Sequence, residues 1–305
     1  MKKMFLLAAS MFLLAGCGAA TLDNGNSNEE QSEEKAASEL IVGVSISTLN
    51  NPFFVSMQDG IQQLAEENDT QVKFVDAQDD TAKQSNDIDD LIQQNVDVLL
   101  INPVDSSAIV PAVEAANNAN IPVIAIDRSS DGGTLLTTVA SNNEEGGKMA
   151  AEFILEQLGE NAKVVELEGV PGASATRERG KGFDDFAEGK LDVIEKQSAN
   201  FNRAEGLTVM ENILQANSDV QGIFAQNDEM ALGAAEAIGS REGVVIVGFD
   251  GTEDGLKAIE EGKMTATIAQ KPEEMGRLAL QAAFDHFAGK EVDEQIDSPL
   301  DLVTQ

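Results

Sequence analysis

Apolar residues in this chain fall into short runs that alternate with stretches of helical spacing, almost without a break after residue 38. The runs Leu40–Ile46, Val72–Val75, Val96–Ile101, Ile121–Ile126, Leu135–Val139, Lys163–Leu167, Asp192–Gln197, Val220–Phe224, Val244–Phe249 and Thr265–Ala269 read as strands. Between them, Met57, Ile61, Leu64 and Ala65 lie at i, i+4, i+7 and i+8, and Leu207, Met210, Ile213 and Leu214 form a second such stripe. Residues on a helix advance by about 100°, so that spacing gives each helix one face to bury. Strand–helix alternation of this density predicts parallel sheets covered by helices on both faces. It continues for about twelve units, more than one open sheet of this kind usually holds. The pattern predicts an α/β protein with two doubly wound, Rossmann-like parallel sheets.

A seam between the two is expected at Val139-Ala140-Ser141-Asn142-Asn143, where a strand-like run ends and a new helical stripe, Met149 to Leu158, begins. Nothing there is rich in Pro or Gly, which predicts a short, structured connection. In open α/β sheets ligands sit beyond the carboxyl ends of the strands. The residues found there are Asn50-Asn51-Pro52-Phe53-Phe54, Asn102-Pro103, Asp127-Arg128, Ser141-Asn142, Ala199-Asn200-Phe201, Gln226-Asn227-Asp228, Asp250-Gly251 and Gln270. Several have a purely structural reading. Asn51 before Pro52 suits a helix N-cap with Pro at N1, and Asn227 or Asp228 suits another. Asp250-Gly251 reads as a turn and Asn102-Pro103 as a helix start. Only the recurrence of amides, carboxylates and guanidinium groups after strand upon strand points beyond structure.

The first 38 residues break the pattern. Lys2 and Lys3 precede a run, residues 4–15, that is apolar apart from Ser10. That is too short to span a membrane as a helix and has the shape of a secretory signal. Leu14-Ala15-Gly16-Cys17 resembles the lipobox of bacterial lipoproteins, which implies cleavage after residue 16 and a diacylglyceryl group on Cys17. Two acyl chains anchor a protein stably where one does not. Residues 17–38, which include GAATLDNGNSNEEQSEEKAAS, are polar and acidic without period and are expected to form a flexible tether, with folded structure starting near Glu39.

Composition then removes function classes. The chain of 305 residues carries a net charge of −34, and −36 once the two lysines of the first sixteen residues are gone. A surface so acidic repels phosphate backbones, which excludes nucleic acid as a partner. A transcriptional sensor would also need an N-terminal DNA-binding helix pair where this chain has a signal and an acidic tether. Cys17 is the single cysteine and His286 the single histidine. With Cys17 acylated no thiol nucleophile remains. His286 falls on or near the buried stripe of its helix, seven residues after Ala279 and four after Ala282. The run Glu145-Gly146-Gly147-Lys148-Met149 lacks the first Gly and the Ser or Thr of a phosphate loop. No GxGxxG follows the first strand, and no EF-hand spacing is present. No enzyme, cofactor or metal is expected.

Amides, carboxylates, arginine and flat phenyl rings together suit a small polyol. Vicinal hydroxyls match the forked donors of Arg and the paired acceptors of Asp, and sugar C–H faces lie well against aromatic rings. Asp127 and Asp250 are offset by Arg128 and by Arg177 if it joins them, a balance that favours a neutral ligand.

Longer stretches carry a resemblance: VSISTLNNPFFVSMQDG, LLINPVDSSAI, NIPVIAIDR, SATRERGKGF, VMENILQANSDVQGIFAQNDEMALGA, VVIVGFDGTEDG and ATIAQKP. From about Leu40 onward the chain is similar to the periplasmic-type (type I) sugar-binding proteins of ABC transporters, and within them to the ribose-binding group. The resemblance implies two similar α/β domains, 39–140 plus 271–299 and 141–270 plus 300–305, joined by a hinge of three crossings with ligand between them. The third crossing, near Ser298–Leu300, is the least sharply marked. Carried over by motif, the implied ligand contacts are Asn51, Phe53, Phe54, Asn102, Asp127 and Arg128 from one domain. The other domain would supply Arg177, Phe201, Asn227, Asp250 and Gln270. Phe201 would close one face of the sugar while Phe53 and Phe54 hold the other. The resemblance further implies a monomeric, extracytoplasmic receptor anchored to the cell membrane through Cys17. It would bind D-ribose or a related neutral sugar and deliver it to a membrane permease with its ATPase subunits. Galactose-binding relatives use Trp stacking and a calcium loop, and this chain has neither.

Overall fold

The computed structural model of the protein describes residues 34–305; the signal, Cys17 and the first part of the expected tether lie outside them. The strands β1 (Ile41–Ile46), β2 (Gln71–Asp76), β3 (Val98–Ile101), β4 (Val123–Ile126) and β5 (Thr137–Ser141) build a first parallel sheet. A second is built by β6 (Lys163–Glu168), β7 (Asp192–Ser198), β8 (Gly222–Ala225), β9 (Val245–Asp250) and β10 (Ala266–Ala269). The short strands β11 (Gln295–Ser298) and β12 (Asp301–Thr304) then add one edge to each sheet, giving the orders β11-β5-β4-β3-β1-β2 and β12-β10-β9-β8-β6-β7. Only β12, paired with β10, runs antiparallel among the described strands. All ten predicted strands form, each within about two residues at either end. The two that the pattern missed are edge strands, QIDS and DLVT, with exposed charges and no apolar run.

Helices cover both faces of each sheet. On the first, α1 (Pro52–Glu67) packs with a late helix, while α2 (Thr81–Gln93) and α3 (Val110–Asn118) cover the opposite face. On the second, α4 (Asn143–Leu158) packs with α5 (Ser174–Ala187), opposite α6 (Arg203–Ala216), α7 (Asp228–Ile238) and α8 (Glu253–Glu260). The last helix, α9 (Pro272–Phe287), returns to the first sheet and packs on α1. The stripe Met57, Ile61, Leu64 and Ala65 is buried in the α1–α9 core, as its spacing requires.

The chain passes between the sheets at three places: from β5 to α4, from β10 to α9, and from β11 to β12. Each passage is a few residues long, so the strands of both lobes aim their carboxyl ends into one cleft. Residues 34–38, expected to be tether, are instead docked. The Lys35 amide donates to the Phe287 carbonyl at 2.9 Å, the Lys35 ammonium pairs with Asp97, and Ala37 packs on the first core. A backbone bond, an ion pair and an apolar contact outweigh the polar composition of this segment.

Candidate functional site

The cleft narrows to a small pocket lined by Asn51, Phe53, Phe54, Asp127, Arg128, Ala175, Arg179, Phe201, Asn227 and Asp250. On the first lobe, Asn51 caps α1: its Oδ1 accepts the Phe53 amide at 2.9 Å, and Pro52 occupies the first helical position. That cap turns two successive phenyl rings toward the cleft. Both are 3% exposed, and they meet edge to face at 5.3 Å, so each has one side in the α1–α9 core and one on the cavity.

At the end of β4 the backbone turns sharply. Asp127 sits at φ 65°, its amide donates to Val139 O at 2.8 Å, and the Arg128 amide donates back to Ile126 O at 2.7 Å. The turn swings both side chains into the cleft. Arg128 Nε lies 3.6 Å from Asp127 Oδ2, and Nη1 donates to the Pro103 carbonyl at 3.0 Å. The guanidinium carbon stands 5.1 Å from the Phe54 ring centre and 5.2 Å from that of Phe201, so it bridges aromatic rings from opposite lobes. Its Nε is buried with no hydrogen-bond partner among the described residues.

The second lobe mirrors this chemistry. Asp250 ends β9 at φ 120° and its Oδ1 lies 3.8 Å from Arg179 Nη1. Arg179 donates Nε to Asn143 Oδ1 at 2.9 Å and Nη1 to Gln226 O at 2.7 Å, and stacks 3.8 Å over the Phe249 ring. Gly147 on α4 makes that placement possible, since a Cβ there would lie 2.0 Å from the Arg179 carbonyl oxygen. Asn227 caps α7 through Oδ1, at 2.9 Å from the Met230 amide, and donates Nδ2 to the Phe201 carbonyl at 3.2 Å. Asp127, Asp250 and Phe201 (φ 58°) thus all hold positive-φ backbone conformations that cost non-glycine residues energy, least for Asp and most for a bulky Phe.

Burial dominates the electrostatics. It pushes the Asp127 carboxyl above its ordinary value, with Arg128 and Arg179 pulling back. It pushes Asp250 well above the ordinary value, an effect that Arg179 opposes and neighbouring Asp228 and Asp127 reinforce. Arg128 is lowered by the same burial, against the pull of Asp127. Two carboxylates and two guanidinium groups share the cavity, so its formal charge is zero.

Of the sequence-predicted residues, Asn51, Phe53, Phe54, Asp127, Arg128, Phe201, Asn227 and Asp250 come together on this cavity. Asn102 stands behind them. Its Nδ2 donates to Asp127 Oδ2 at 3.4 Å and to Ile126 O at 3.0 Å, while its Oδ1 accepts from Ser47 N and Oγ. Gln270 also lies outside the lining; its Nε2 donates to Asp250 Oδ1 at 2.9 Å, and its buried Oε1 has no partner among the described residues. Arg177 is the correction. Its side chain is 44% exposed, pairs with Asp131 at 2.7 Å and donates to Gly172 O at 2.9 Å, away from the cavity. The residue that enters is Arg179. On α5, Ala175, Arg179 and Phe183 recur at i, i+4 and i+8 and are buried, while two residues' rotation turns Arg177 to the far side. That apolar stripe was the available signal.

Beside the cavity the lobes are bonded directly: Ser106 N to Gly172 O at 3.0 Å, Ser174 N to Ser106 Oγ at 3.1 Å, and Ser129 N to Ser174 Oγ at 3.0 Å. Behind Arg179, Gln226 Nε2 donates to Glu166 Oε1 at 2.8 Å, and burial raises Glu166 to about 7 although Lys196 opposes the shift. No cluster of metal-ligating side chains occurs among the described residues.

Residues 42–291 match the family model of the periplasmic binding protein domain. The chain is 52% identical to the ribose import binding protein of Bacillus subtilis, over 98% of this chain and 97% of that one. It is 46% identical to the ribose import binding protein of Escherichia coli, over 86% and 88% of the two chains. Among solved structures, an ABC transporter solute-binding protein from Actinobacillus succinogenes with bound D-allose superposes with a TM-score of 0.81 at 30% identity, covering 87% of this chain and 98% of that one. The chain belongs to the periplasmic binding protein family, as a substrate-binding protein of the ABC importer kind and not an enzyme.

Proposed function

We propose that this protein is an extracytoplasmic receptor that takes D-ribose into the cleft by hinge closure and delivers it to the permease of an ABC importer. One observation carries the reading: a charge-neutral cavity in which an Arg–Asp pair and an aromatic ring from each lobe face one another. In an open form each Arg–Asp pair faces water. A sugar bridging the lobes replaces that water with hydroxyl groups that donate to Asp127 and Asp250 and accept from Arg128 and Arg179, while Phe54 and Phe201 cover its C–H faces. Binding therefore favours the closed form, since only there are both sets of partners made. The relatives named for ribose import support ribose as the sugar. Titration calorimetry against a panel of D-ribose, D-allose and other pentoses tests it; the chain has no Tyr or Trp to report binding by intrinsic fluorescence. The expected result is one site with D-ribose bound most tightly.

A second reading keeps the transport role and changes the sugar. The similar solved protein with bound D-allose favours it, and a panel in which D-allose outranks D-ribose would establish it.

The lipobox-like Leu14-Ala15-Gly16-Cys17 supports anchoring through a diacylglyceryl group on Cys17, which would hold the receptor near its permease and ATPase subunits. Cys17→Ser is expected to move the protein from the membrane and detergent phase to the aqueous phase without altering ribose affinity. Retention of the variant in the detergent phase would contradict the anchor.

A further inference from the structure

We propose that Gly169 is a positioning residue that sets how far the Phe201 ring projects into the cavity, and so the width available to the sugar. The inference rests on the reading of that cavity as the sugar site. Gly169 follows β6, is buried, and faces the far edge of the Phe201 ring. A Cβ at this position would lie 2.0, 2.3 and 2.4 Å from Cζ, Cε1 and Cε2 of Phe201, roughly 1.4 Å short of ordinary contact at the closest atom. Gly169 does not hold a left-handed φ, and the three atoms nearest an added Cβ all belong to the ring.

The two sides of this contact differ in their freedom to move. Gly169 is pinned at both backbone groups: its amide donates to Gln226 Oε1 at 3.0 Å, and its carbonyl accepts Ser198 Oγ at 2.7 Å. Gln226 is itself buried and held by Glu166. Phe201 is held at its carbonyl by Asn227, but its ring can turn about χ1 and χ2. An added methyl must therefore displace the ring rather than the strand end. On the cavity side the ring faces the guanidinium groups of Arg128, at 5.2 Å, and Arg179, at 5.9 Å, and elsewhere it packs against the core under α6 and α7. Displacement toward them takes space from the cavity and disturbs the aromatic contact that joins the two lobes.

A four-protein calorimetric cycle with D-ribose tests this: wild type, Gly169→Ala, Phe201→Leu and the double variant. Leucine ends well short of the ring's far edge, so the added methyl has room beside it. Gly169→Ala alone is expected to weaken ribose binding about ten- to hundredfold, the range of an overpacked contact. In the Phe201→Leu background the same change is expected to cost less than about twofold, by the same scale. Equal losses in both backgrounds, or no loss in either, would overturn the inference. Should Gly169→Ala not fold alone, the leucine pair decides: equal affinities are expected, and a loss on adding the methyl there would refute the role. Wild-type protein that binds no sugar would instead overturn the sugar reading, and this inference with it.

Discussion

Arg128→Ala is expected to weaken ribose binding by at least about a hundredfold while leaving a folded protein. In the closed cleft Arg128 is the nearest cation to Asp127, a donor to Pro103 O, and the aromatic bridge between Phe54 and Phe201. Stripping a buried carboxylate of its partner costs about 3–5 kcal/mol. In an open cleft Asp127 regains water, so the cost falls on closure and appears as lost affinity. At about 1.4 kcal/mol per factor of ten, the loss is roughly two to three and a half orders of magnitude. Calorimetry with a parallel thermal melt measures both quantities. Affinity within threefold of wild type would show that the Arg128–Asp127 pair does not face the ligand.

The second large effect separates two arginines two residues apart. Arg179→Ala removes the partner of Asp250 together with the contacts to Asn143, Gln226 and Phe249, and is expected to cost as much as Arg128→Ala. Arg177→Ala removes a half-exposed pair with Asp131 that joins the lobes outside the cavity. Exposed pairs are worth about 0.2–1 kcal/mol, so ribose affinity should fall by no more than about fivefold. Binding lost in the Arg177 variant and kept in the Arg179 variant would reverse the assignment made from their positions on α5.

The contrast also shows what could be read from the sequence. The inner strands were legible because sheets covered on both faces need apolar runs, and the edge strands β2 and β7 because they keep Val72, Phe74 and Val75 or Val193 and Ile194, whereas β11 and β12 are edge strands with almost nothing to bury. The cavity was legible because ligand groups collect at strand ends: Asn51, Asp127, Phe201, Asn227 and Asp250 each follow or end a strand or cap the next helix. Arg179 follows no strand. It reaches the cavity from a helix, and only the rotation of about 200° that separates it from Arg177 tells the two apart. Asn102 and Gln270 stand at strand ends like the others, yet they brace Asp127 and Asp250 from behind. Sequence position does not distinguish a group that lines a cavity from one that holds the lining in place; the difference is a few ångströms of depth. The docking of residues 34–38 was hidden for another reason. It depends on Asp97 and the Phe287 carbonyl, far away in the chain, while local composition speaks only for disorder.

The measurement that bears most directly on the site is diffraction from crystals grown with D-ribose. One sugar is expected between the rings of Phe54 and Phe201, with hydroxyl groups bonded to Asp127, Arg128, Arg179 and Asp250 and none to Arg177. A sugar bound elsewhere on the protein, or one whose hydroxyl groups leave both Arg–Asp pairs untouched, would contradict the proposed site.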